Sequence, residues 1–130
     1  MEQHQTQPEV TIEEAEAILE QARAIVDTIS DIKGENILLI DLREITLISD
    51  YFIICTGNSD RQLKAIVEHI SDDVRKKFGR KVWRIEGNAS GGWVLMDYGD
   101  IVIHAFTPEQ REYYDLEELW RDGKILLHMQ

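Results

Sequence analysis

Cys55 is the single cysteine of this 130-residue chain, and it stands inside the apolar run Tyr51 to Cys55 with no CxxC companion. A thiolate nucleophile needs a base such as His104 beside it and an electropositive, partly exposed setting. A thiol inside a continuous apolar strand is a core residue instead. Ser59 lies between Asn58 and Asp60 and lacks the G-x-S-x-G elbow of a serine hydrolase. His4, His69, His104 and His128 show neither the i, i+4 nor the Cys/His-paired spacing of a zinc site, so no metal and no cofactor is expected. The remaining candidates are Asp97 and Asp100, two acids close in sequence that could bind a divalent ion or a basic partner.

The elements that must position these residues are legible from periodicity and caps. Thr11 and Glu14 form a capping box, and Ile18, Ala22, Ile25 and Ile29 recur at helical spacing as far as Lys33 and Gly34, read as a cation and a C-cap. Ile37 to Leu42 and Tyr51 to Thr56 are strand-like, the second apolar on consecutive residues and so expected at the centre of a sheet. Ser59 and Gln62 form a second capping box, opening a helix that carries Leu63, Ile66, Ile70, Val74 and Phe78 up to Gly79. Lys81 to Glu86 is expected to be a third strand, Gly87 to Gly92 a reversal, and Trp93 to Asp97 with Asp100 to Phe106 a hairpin. Thr107 and Pro108 start a C-terminal helical segment reaching Trp120. Residues 1–10 read as a flexible tail, 11–120 as one domain and 121–130 as a C-terminal tail. The fold class expected is α/β, or α+β-like, with a mixed sheet of about five strands and helices packed on it.

If Tyr98 and Gly99 are the two turn residues, Asp97 faces Asp100, Met96 faces Ile101, Leu95 faces Val102, Val94 faces Ile103 and Trp93 faces His104. One face of the hairpin is then apolar and turned to the core. The other carries Trp93, Leu95, Asp97, Asp100, Val102, His104 and Phe106. Two carboxylates set opposite each other repel, and acids beside an aromatic anchor suit the docking of a basic protein. A helix covering this face, with Trp93 in a core, is the competing reading. Tyr113, Tyr114, Leu116, Leu119 and Trp120 among acids describe a C-terminal helix that either docks on the sheet or meets a partner.

The strand, Gly57, Ser59 and helix in series resemble the phosphate-binding start of nucleotidyltransferases, yet the acid pair expected on the following strand is absent, since 81–86 hold one acid. With 14 basic and 25 acidic side chains the formal charge is -11. Such a surface repels phosphate backbones, which disfavours sequence-specific nucleic-acid binding and favours a basic partner. No apolar stretch approaches the roughly 20 residues of a membrane span. One cysteine, with no secretory or transit pattern in MEQHQTQPEV, points to the cytoplasm.

Three stretches, SDYFIICTGNSDRQLKAI (49–66), GGWVLMDYGDIVIHAF (91–106) and QREYYDLEELW (110–120), resemble the ribosomal silencing factor, or Iojap-like, family, in matching order from about Ile37 to Trp120. The resemblance implies a nucleotidyltransferase-like fold without the catalytic acids, and no enzymatic activity. It implies binding to the large ribosomal subunit through its fourteenth protein, a steric block of small-subunit joining, and less protein synthesis when nutrients are short. Carried over as partner-binding residues are Trp93, Asp97, Tyr98, Asp100, His104 and Tyr113. A divergent metal-dependent nucleotidyltransferase is the alternative, and a homodimer of the free protein remains open.

Overall fold

The computed structural model describes residues 11–130; the tail read over 1–10 lies outside the described residues. Helix α1 (Ile12–Asp31) opens with the reciprocal bonds of the capping box: Glu14 N–H donates to Thr11 Oγ1 at 3.0 Å and Thr11 N–H to Glu14 Oε1 at 2.9 Å. At its end Lys33, not Gly34, takes the positive φ of 70°. Gly34 is required by space, because a β-carbon there would lie 2.3 Å from Ile29 Cγ2. Strands β1 (Glu35–Asp41) and β2 (Tyr51–Thr56) follow, then helix α2 (Asp60–Phe78), capped by Ser59 and stopped by Gly79 in the left-handed conformation.

The second half of the chain is a meander of β3 (Arg84–Asn88), β4 (Trp93–Asp97) and β5 (Ile101–Phe106), then α3 (Pro108–Tyr114), α4 (Leu116–Leu119) and β6 (Lys124–Met129). The sheet order is β3-β4-β5-β2-β1-β6, with β2 and β5 parallel and the other pairs antiparallel. This is the expected mixed sheet, with β2 near its centre and buried along its whole length.

Three expectations are corrected. The sheet has six strands, because 124–129, read as part of a tail, pairs along β1 from Asp41↔Lys124 to Ile37↔Met129. The run KILLHM is half exposed on an edge and shows no clean alternation, which hides it. The third strand begins at Arg84 and continues to Asn88, through Gly87 at φ 79°. It is an exposed edge strand throughout, so no burial pattern marks its limits. The C-terminal helical segment is broken in two at Asp115, whose φ of 44° no helix interior accommodates.

Both faces of the sheet carry packed side chains. On one, Ala22, Ile25, Val26 and Ile29 of α1 and Leu63, Ile66, Ile70 and Val74 of α2 meet Ile37, Leu39, Ile53, Cys55, Met96, Ile103 and Ala105. On the other, Leu38, Ile40, Leu42, Phe52, Ile54, Val102 and Phe106 are partly roofed by Leu116 and Trp120, with Trp93 and Leu95 at the margin. Cys55 is fully buried and its thiol is pushed up to about 12 by burial, so it is a core residue as its apolar run indicates. No helix among the described residues is long and apolar enough to cross a membrane.

Candidate partner-binding face

The β4–β5 hairpin presents the face expected of it, though through a different register. The strands pair as Trp93↔Phe106, Val94↔Ala105, Leu95↔His104, Met96↔Ile103 and Asp97↔Val102. Tyr98 N–H donates to Ile101 O at 2.9 Å, so the turn residues are Gly99, at φ 89°, and Asp100. The shift relative to the Tyr98–Gly99 turn is two residues, and a two-residue shift leaves every side chain on its face. Burial of the Tyr98 ring accounts for the choice: the observed register places it in the core opposite Ile101, 5 % exposed. The Asp100 carbonyl then accepts from both Asp50 N–H and Tyr51 N–H at 3.0 Å, tying the turn to β2.

Asp97 and Asp100 are therefore not opposed. Asp97 Oδ1 accepts from Gly99 N–H at 2.7 Å, and its other oxygen lies 3.5 Å from the Arg84 guanidinium. Asp100 pairs with Arg80 at 3.1 Å, and Arg80 also donates to Tyr98 O and Gln21 Oε1. Each acid meets an arginine, Arg84 being shared with Glu86 at 3.0 Å, and sequence spacing does not reveal the pairing because the arginines come from the α2–β3 connection and from β3. Among the described residues no group of three or more His, Cys, Asp or Glu is placed to hold a metal ion.

The outer face centres on Trp93. Its half-buried ring packs on Phe106 at 5.0 Å between centroids and on Tyr114 at 4.4 Å. Its Nε1–H donates to His104 Nδ1 at 3.2 Å. A hollow of about 230 Å³ beside it is lined by Glu86, Gly87, Trp93 and Leu95. Tyr113 is 78 % exposed, and its ring meets Tyr114 edge-on at 5.0 Å. Trp93 and Tyr113 are thus accessible, whereas Tyr98 and His104 are buried. Tyr114, Leu95 and Glu86 lie beside Trp93; Tyr114 and Leu95 stood in the aromatic segment and on the outer face, but Glu86 emerges only from the β3–β4 pairing.

His104 lies inside an aromatic enclosure, 4 % exposed, with Phe52 at 4.8 Å and Phe106 at 6.2 Å. Because Nδ1 accepts from Trp93, the ring proton sits on Nε2, which is buried and has no partner among the described residues. A buried unpaired donor costs about 1–3 kcal/mol. Burial pushes the imidazole down to about 4, against a slight upward pull from Asp97. The unfolded chain binds this proton near 6.5 and the folded one near 4, so stability declines as pH falls through that window and levels below it. The span corresponds to about 3 kcal/mol. Denaturant unfolding at pH 7 and pH 4.5 should show this loss, and His104→Phe should remove most of it; equal pH slopes in the two proteins would contradict the assignment.

The turn before α2 is closed in part by its own side chains. Ser59 Oγ accepts from Gln62 N–H at 3.1 Å, but Gln62 Oε1 accepts from Asn58 N–H at 2.8 Å and not from Ser59 N–H, so the expected capping box is displaced by one residue. The adjoining hollow is lined by Glu35, Glu112, Asp115 and Glu117, and its Arg111 is turned inward onto Asn36 O, Thr56 Oγ1 and Glu117. Those carboxylates oppose a phosphate.

Fold and face together define a small α+β protein whose outer sheet surface presents a tryptophan and two tyrosines among acidic groups. The chain belongs to the family described as ribosomal silencing factor during starvation, whose model matches residues 14–129. It is 43 % identical over 109 residues to the ribosomal silencing factor RsfS of Bacillus subtilis, covering 84 % of this chain and 89 % of that one. The crystal structure of a Chromobacterium violaceum protein superposes with a TM-score of 0.75 at 38 % identity, over 80 % of this chain and 86 % of that one. A mouse protein named mitochondrial assembly of ribosomal large subunit protein 1 is 39 % identical over 74 residues, 55 % of this chain and 32 % of that one. The match takes in α1 and β6, beyond the 37–120 span of the motifs.

Proposed function

We propose that this protein represses translation by binding the large ribosomal subunit through its fourteenth protein and standing where the small subunit would join. The observation that carries the reading is the Trp93 face, in a chain that belongs to the silencing-factor family. An aromatic centre with a polar rim is the composition of a protein-docking patch. The contact surface is Trp93, Leu95, Tyr113 and Tyr114, rimmed by Glu86 and Asp97. Asp100 and Tyr98 shape the turn behind it. The formal charge of -11 steers the protein toward a basic ribosomal protein and away from RNA in any other orientation. Occlusion requires no turnover, so the proposed role is regulatory and not enzymatic, and its setting is the cytoplasm.

Calorimetric titration of the isolated fourteenth large-subunit protein tests this reading. Saturable one-to-one binding that weakens with added salt is expected; heat no different from dilution would overturn it. Within the same titration, Glu86→Gln should flatten the dependence of log affinity on log salt, because Glu86 is a half-exposed acid beside Trp93, paired at the surface with Arg84 at 3.0 Å. An unaltered slope would remove Glu86 from the contact.

A further inference from the structure

We infer that His104 is a positioning residue for Trp93: by accepting the indole N–H it sets the angle at which the ring lies on the sheet, and so the surface the partner meets. The inference rests on the docking face proposed above and adds how that face is held. Phe106 and Tyr114 meet the indole through ring contacts at 5.0 and 4.4 Å, and each other at 6.2 Å, so both lie toward one side of it. Ring contacts tolerate sliding and rotation, whereas an N–H···N bond is directional. The bond to Nδ1 at 3.2 Å is therefore the contact that selects one orientation.

His104 is poorly explained by stability alone. Its surroundings are Phe52, Phe106, Trp93 and Leu95, its cross-strand neighbour, and an apolar side chain would suit them. The imidazole instead leaves Nε2 buried without a partner among the described residues, and there the bond to Trp93 is what it contributes. A second consequence follows for recognition. With its N–H turned inward, the indole offers the partner a ring face and edge and no donor, which suits an aliphatic side chain or the cation of a Lys or Arg.

The test uses ¹⁵N-labelled protein and the indole N–H signals of Trp83, Trp93 and Trp120, with Trp93→Phe assigning the one of interest. In His104→Phe the Trp93 signal should move and its hydrogen exchange quicken at least tenfold, while affinity for purified large subunits drops roughly three- to tenfold, the scale of one lost hydrogen bond. His104→Asn, whose side-chain oxygen can take the place of Nδ1, should restore both in part. A structural role alone would not tie the indole signal to affinity in this way. An unmoved Trp93 signal in both variants would overturn the inference. So would a displaced indole with unchanged subunit affinity in a protein whose Trp93→Ala form no longer binds. If Trp93→Ala leaves binding intact, the docking face itself fails, and the positioning of Trp93 for a partner fails with it.

Discussion

Trp93→Ala is expected to weaken binding to the large ribosomal subunit by about 2 kcal/mol or more, the scale of an aromatic hot spot, while the protein stays folded. The reason is its position. Trp93 belongs to the margin of the outer cluster, half-buried against Phe106 and Tyr114, with a hollow beside it that a partner side chain can fill. Truncation removes a large rigid contact surface and leaves the main core beneath α1 and α2 untouched. Sedimentation or surface-immobilised binding assays with purified subunits, read beside a thermal unfolding curve, separate the two effects. Loss of fold with unchanged binding per folded molecule would instead make Trp93 a core residue.

Phe106→Ala gives the opposite division. Phe106 is fully buried and stacks beneath Trp93 at the end of β5, and its backbone carbonyl accepts from Gly57 N–H at 2.8 Å. Replacing a buried phenylalanine with alanine costs about 3–5 kcal/mol, through lost transfer energy and the cavity left behind. Marginally stable proteins lose a large share of their stability to such a change. We therefore expect a fall in the denaturant midpoint with an unchanged slope, and poor binding traceable to the unfolded fraction. A variant as stable as the parent would mean that the outer cluster is not a core.

Local signals in the sequence stated much of this architecture. The capping box at Thr11, the Ser59 cap, Gly79 and the apolar run of β2 each act within a few residues, and each stands where it was placed. What escaped depends on pairings between distant segments. The β4–β5 register turns on whether the Tyr98 ring is buried, and that is settled by α2 and β5 around it. The pairing of Asp97 with Arg84 and Asp100 with Arg80 depends on where the edge strand β3 begins. β6 is visible only once β1 offers it an unpaired edge. For the face itself, two-residue periodicity sufficed to put Trp93, Leu95, Asp97, His104 and Phe106 on one side. Burial then divided that set, leaving Trp93 accessible and drawing His104 beneath it.

In the proposed function the bound protein keeps the two ribosomal subunits apart. Purified protein incubated with separated large subunits, followed by small subunits and gradient sedimentation, tests it directly. The protein is expected to travel with the large subunit and the joined-ribosome peak to fall in proportion to occupancy, with Trp93→Ala restoring the peak. Joined ribosomes forming in full while the protein remains on the large subunit would contradict it.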